Sequence, residues 1–133
     1  MFTERQTIQY NGINIPSIIN IPSNPYGAAV IVHGYGGCKE EQLGLAWRAA
    51  ELGLATCAID LHGHGENMLN LEQGIFSDVE AAVDYCRRFA CQKLSHADTR
   101  LNFIEGVLHS DIFFLEATLL IVINQLKEWF CLQ

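Results

Sequence analysis

Basic residues are scarce in this chain: eight Lys and Arg stand against fifteen Asp and Glu, a formal net charge of −7. A nucleic-acid binder needs a cationic patch to neutralise phosphates, and anionic lipid surfaces attract the same kind of patch. This acidic chain supplies neither, so no nucleic-acid partner is expected. Long apolar runs are lacking too. The longest, Ile112–Ile123, is interrupted by Glu116 and Thr118 and falls short of the roughly 20 residues a bilayer-crossing helix needs. No membrane span is expected. MFTERQTIQY has no apolar stretch behind its charges and does not read as a secretory signal, so a cytoplasmic location is expected. Cysteine occurs five times, an odd number without regular spacing or a C-x-x-C pair. That argues against a disulfide framework and for a reducing compartment, with the cysteines as small buried residues. Repeats and low-complexity tracts are absent. At 133 residues, half of them hydrophobic, the chain suits one domain with a modest core.

What is present is organised around Ala28–Asn67. Ala28–His33 is a short apolar run without alternation, as in a strand covered on both faces. His33-Gly34-Tyr35-Gly36-Gly37 breaks it, and three glycines in four positions permit positive φ and close backbone approach. Leu43, Ala46, Trp47, Ala50 and Leu54 then fall at helical spacing, with Glu40 and Glu41 in the first turn, where the helix dipole favours anions. Gly53 stands where a C-terminal cap belongs. Leu54–Asp60 returns as a second buried strand, and a βαβ unit of this kind implies parallel pairing.

On the amino-terminal side, Arg5–Tyr10 and Ile13–Ile21 alternate loosely around Asn11-Gly12, the strongest short hairpin signal. Pro16 and Pro22 predict an edge strand or a bulge there. Beyond the second Gly-rich turn, Ile75, Val79, Ala82, Val83 and Cys86 form one face of a helix from about Leu71 to Phe89. Asp78, Glu80, Asp84, Arg87 and Arg88 are predicted to face outwards. A polar link, Cys91–Asp98, leads to a strand over Thr99–Gly106. The closing helix, about Ile112 to Phe130, is apolar around most of its circumference and needs a cover, either a sheet or another chain.

HGYGG after one buried strand and DLHGHGEN after the next resemble the amino-terminal half of the α/β-hydrolase fold family of esterases and lipases. The resemblance implies an α/β fold, a mostly parallel sheet with an N-terminal hairpin and helices on both faces, in abbreviated form. It implies that the backbone N–H of Tyr35, beside Gly36, lines an oxyanion hole, where fixed donors meet a developing negative charge. Gly34, Gly37, Asp60, Gly63, His64 and Gly65 become the structural turn residues, with Asn67 where the family usually has Ser. Residues 99–133 resemble the family's last strand, histidine loop and final helix, which makes His109 the candidate general base; Leu108 replaces the usual Gly before it. The family's G-x-S-x-G nucleophile elbow is missing. None of Ser17, Ser23, Ser77, Ser95 and Ser110, and none of the cysteines, has glycine two residues away on both sides. Residues 1–90 and 99–133 therefore read as the two ends of a hydrolase joined at 91–98, an internally shortened member of the family.

Each site has a plainer reading. The Tyr35 turn is either an oxyanion turn or a tight strand-to-helix connection. His33 closes a buried strand, where it stabilises the loop by hydrogen bonding. His62 and His64 flank Gly63, but no cluster of carboxylates or thiols is spaced to complete a metal site, so neither metal nor cofactor is expected. His109 acts as a base only with a nucleophile in reach and a carboxylate behind it. Neither Asp98 nor Asp111 occupies the family's acid position. The functional expectation is carboxylic ester hydrolysis by kinship, with a small acyl ester as substrate and little or no turnover by this chain. The alternative is a non-catalytic product that self-associates through an open sheet edge.

Overall fold

The computed structural model describes residues 1–69 and 75–91 of the protein. Four strands, β1 (Phe2–Tyr10), β2 (Ile13–Ile21), β3 (Gly27–Val32) and β4 (Leu54–Ile59), make one sheet in the order β1-β2-β4-β3. A 3₁₀ turn (Lys39–Gln42) and helix α1 (Leu43–Glu51) connect β3 to β4, and helix α2 (Ile75–Cys91) follows β4. The strand read over Thr99–Gly106, the closing helix, and residues 92–98 of the junction lie outside the described residues, as do His109, Asp98 and Asp111.

The hairpin forms where Asn-Gly directs it. Asn11 has φ 47° and Gly12 φ 81°, so both turn residues are left-handed, as the tightest hairpin connection demands. β1 and β2 then pair in register from Tyr10↔Ile13 to Phe2↔Ile21. β3 runs parallel to β4 from Gly27↔Leu54 to Val32↔Ile59, completing the βαβ unit. β2 is antiparallel to β4 over Ser17–Asn20. Among the described residues the sheet is mixed: the parallel β3–β4 pair of the βαβ unit is joined by the antiparallel N-terminal hairpin. β2 is also an interior strand, whereas Pro16 predicts an edge or a bulge. The proline is tolerated because it stands at the end of the β2–β4 ladder, where its carbonyl still accepts the Asp60 N–H at 3.0 Å.

Helices cover both faces. Towards α2 the sheet presents Ile15, Ile19, Cys57 and Ile59, which pack with Ile8, Leu61, Ala81 and Ala82 into one buried cluster. Towards α1 it presents Ile31 and Ala58 against Ala46 and Leu45. Ala46, Ala49 and Ala50 are the buried residues of α1, and their small side chains allow close approach to the sheet. Trp47, expected on that face, is 49 % exposed. A polar chain crosses the α1 side of the sheet: Thr3 donates to Asn20 (2.8 Å), Asn20 to Thr56 (3.0 Å), and Thr56 to the Ala46 carbonyl (3.3 Å). Every link in it is a directly opposed cross-strand pair or a strand-to-helix contact, so buried Asn20 and Thr56 are satisfied.

Candidate active site

The carboxyl ends of the parallel strands β3 and β4 carry the two Gly-rich turns side by side. In open α/β sheets this end is where ligands bind. After β3, the Gly37 N–H closes a turn onto the Gly34 carbonyl at 3.0 Å, and Gly36 takes φ 78° at its third position, a conformation that favours glycine. Tyr35 projects outwards and is 92 % exposed. Among the described residues, no hydrogen bond engages the backbone N–H of Tyr35 or Gly36. A Cβ on Gly37 would come within 2.7 Å of the Glu41 carboxylate, which would have to swing away, and a tight 3.2 Å from the Gly34 carbonyl.

His33 ties this turn to the next. Its Nε2 accepts the Leu61 N–H at 3.1 Å, which places the ring proton on Nδ1, and Nδ1 donates to the Gly34 carbonyl at 2.7 Å. The imidazole is buried and committed on both nitrogens. Its ring lies 4.8 Å from that of His64, and the Tyr35 ring meets His64 edge-on at 5.7 Å.

Asp60, fully buried at the end of β4, is the hub of the second turn. One carboxylate oxygen accepts the Lys39 N–H (2.7 Å); the other accepts the Lys39 ammonium (2.6 Å) and the Glu66 N–H (2.9 Å). Gly65 is pressed against this carboxylate: a Cβ there would lie 2.4 Å from it, and φ is 52°. Lys39 has no exposed surface, and it also reaches Glu66 (2.6 Å) and Glu40 (3.1 Å). Burial by itself would push the Lys39 ammonium down, but its hydrogen bonds to Asp60, Glu66 and Glu40 outweigh that and hold its pKa above the ordinary lysine value. Burial alone would likewise raise Glu40; hydrogen bonds from Lys39, the backbone and Arg5 bring it down to about 2.

The remaining turn residues hold the loop to its surroundings. Asn67 donates from Nδ2 to the Asp60 carbonyl at 2.9 Å. Asp60 donates its own N–H to the Pro16 carbonyl, but Pro16 has no N–H to return, so the Asn67 side chain supplies the donor the proline lacks. His64 Nδ1 pairs with the His62 carbonyl (2.9 Å). His62 donates both its backbone N–H (2.7 Å) and its ring Nδ1–H (2.5 Å) to the same oxygen of Asp78 on α2. Asp78, predicted to face outwards, is instead fully buried. Helical spacing gave it an outward direction, but the loop supplies the donors that make an inward one stable. Among the described residues no group of three or more His, Cys, Asp or Glu is placed to hold a metal ion.

No protein-family model matches the chain, and no curated protein sequence matches it. Solved structures do. Est1E from Butyrivibrio proteoclasticus with ferulic acid bound superposes with a TM-score of 0.55 at 24% identity, over 70% of this chain and 39% of that one. A thermostable carboxyl esterase from Bacillus coagulans in complex with glycerol gives 0.54 at 23%, over 73% and 34%. TT1662 from Thermus thermophilus gives 0.52 at 23%, over 67% and 43%. The chain has the α/β-hydrolase fold. It spans between 34% and 43% of the length of these structures.

Within the α/β-hydrolase fold, the described residues bring Tyr35, Gly36, Gly34, Gly37, Asp60, Gly63, His64 and Gly65 to one end of the sheet. His109 is not among them. Lys39 belongs to none of the motifs in the sequence, and Asp78 is buried although its helical spacing points it outwards. The signal for Lys39 was present: it stands alone among Glu40, Glu41 and the acidic turn that holds Asp60 and Glu66.

Proposed function

We propose that this chain supplies the oxyanion side of an acyl-ester hydrolase site and, without a nucleophile of its own, turns esters over slowly or not at all. The observation that carries this reading is the Gly34–Gly37 turn. It holds the Tyr35 and Gly36 amides without an internal acceptor among the described residues, beside a buried His33 that fixes the Gly34 carbonyl. Rigid, unpaired donors at a strand end are what a tetrahedral oxyanion requires. The substrate class is taken from the solved relatives, one a carboxyl esterase and one holding ferulic acid. The sequence supplies the negative half, since no serine or cysteine has the G-x-S-x-G frame. His109 would serve as general base only where a nucleophile is provided.

The test is direct. Purified protein is treated with a fluorophosphonate and weighed intact, and hydrolysis of an aryl acetate is followed in parallel. No adduct and a rate close to that of buffer are the expected results, because removing the nucleophile leaves only residual electrostatic catalysis. A stoichiometric adduct, or rapid turnover with an acyl burst, would overturn the proposal.

A second reading, self-association, has its own observation. β3 ends the described sheet and pairs with β4 on one side only among the described residues. An edge strand of this kind offers unpaired N–H and C=O groups to another chain. Light scattering that gives a monomer at every concentration would remove this reading.

A further inference from the structure

We propose that His64 is the general base of this site, taking a proton from water as that water attacks an ester held at the Tyr35 turn. The inference rests on the hydrolase reading above and names the residue behind its slow turnover. The histidines among the described residues are His33, His62 and His64. His33 is excluded by its hydrogen bonds: Nε2 accepts the Leu61 N–H and Nδ1 donates to the Gly34 carbonyl, so neither nitrogen is left for water. For His64 the tautomer follows from its partner. A carbonyl only accepts, so the 2.9 Å contact with the His62 carbonyl fixes the ring proton on Nδ1. Nε2 then carries the lone pair of the neutral ring, and no hydrogen bond engages it among the described residues. His62 also keeps Nε2 free, but its Nδ1–H is given to Asp78, which sets that ring against α2.

Ring contacts set His64 at the turn. Its ring lies 4.8 Å from that of His33 and 5.7 Å from that of Tyr35. Those two residues flank Gly34, so the imidazole packs at the start of the turn, beside the peptide that carries the Tyr35 N–H. At 8 % exposure it is shielded from bulk solvent without being sealed off. In the step proposed, the water oxygen bonds to the ester carbonyl carbon while its proton passes to Nε2. The carbonyl electron pair becomes an oxyanion held by the Tyr35 and Gly36 N–H groups. Collapse then breaks the bond to the leaving oxygen, which takes the proton back from Nε2. One water and one ester become one acid and one alcohol, and the imidazole is restored. No covalent intermediate forms, so no serine or cysteine is called for. A backbone carbonyl orients the ring where a catalytic triad uses a carboxylate, and this keeps turnover slow.

The experiment follows hydrolysis of phenyl acetate by the full chain, with buffer alone as the blank. The expected wild-type rate lies slightly above buffer, and in His64→Asn that excess falls by about tenfold or more. Asparagine keeps a side-chain N–H for the His62 carbonyl but has no atom in place of Nε2, so a purely structural role would leave the excess intact. Arg48→Ala, an exposed position on α1, is expected to keep the wild-type excess. Should His64→Asn fail to fold, the wild type is titrated with diethyl pyrocarbonate, and the excess is expected to vanish in step with carbethoxylation of His64 in the peptide map. An excess that survives in folded His64→Asn, or in protein fully carbethoxylated at His64, would overturn the proposal. So would a wild-type rate equal to buffer. A stoichiometric fluorophosphonate adduct would instead overturn the reading on which this one rests, so the two failures are told apart.

Discussion

Lys39 illustrates how much of the site rests on single side chains. A lysine without exposed surface is costly unless its charge is matched, and here Asp60, Glu66 and Glu40 match it within about 3 Å. Removing it in Lys39→Met leaves Asp60 buried and uncompensated, so a loss of about 3–5 kcal/mol in chemical denaturation is expected. Arg48→Ala, which breaks an exposed pair with Glu51, should change stability by no more than about 0.5 kcal/mol. Equal effects from the two would show that the Lys39 network is decorative. The same network sets a pH dependence. The Glu40 pKa is depressed in the fold, so its contribution is present above the ordinary 4.5 and is lost as pH falls towards about 2. The Lys39 pKa is raised, so its contribution is complete below the ordinary 10.5 and is lost only as pH climbs through the higher folded value. Thermal midpoints measured across pH should therefore fall at both extremes, and Lys39→Met should flatten the alkaline limb. At Gly65 the constraint is space: Gly65→Ala drives a methyl into the Asp60 carboxylate, and a loss of about 3 kcal/mol is expected by the same measurement.

At the scale of elements, the hairpin and the α2 attachment are held by different physics. Nothing lies within 4 Å of a Cβ placed on Gly12, so Gly12→Ala meets no neighbour and its cost is purely that of φ 81°. About 1 kcal/mol is expected, and a D-alanine at the same position, introduced by peptide ligation, should restore stability because its preferred φ has the opposite sign. If both enantiomers destabilise alike, the turn is not left-handed. Helix α2, by contrast, is tied to the loop after β4 through the double donation of His62 to Asp78 as well as through its apolar stripe. One Asp78 oxygen has no partner among the described residues, so the pair orients the helix without satisfying the carboxylate completely.

For the whole molecule, charge and sheet edge oppose each other. The net charge of −7 repels copies of the chain, while on the self-association reading the edge that β3 leaves unpaired among the described residues would give them a place to join. Self-association through that edge should accordingly strengthen as salt rises from about 0.05 M to about 0.5 M, where the screening length falls to a few ångströms. Sedimentation velocity across that range would check it. A monomer at both extremes, at millimolar protein, would dispose of the edge as an interface. No helix among the described residues is long and apolar enough to cross a membrane.

The sequence by itself determined the local frame. Asn11-Gly12 can hardly do other than turn a hairpin, the unbroken apolar runs into His33 and Asp60 make buried strands, and the glycines that follow allow tight turns at their ends. These features are local because they depend on φ, on periodicity and on one-residue sterics, all of which neighbours in sequence decide. Only the tertiary structure decided which polar groups go inside. Lys39 and Asp60 are 21 residues apart, and His62 and Asp78 are 16 apart. Asn67 completes a bond that Pro16 cannot make. Trp47 turns to solvent although it has core spacing, since the alanines of α1 leave no depth for an indole against the sheet. Burial of charge is a question of partners, and helical or strand periodicity carries no information about partners brought together from distant parts of the chain.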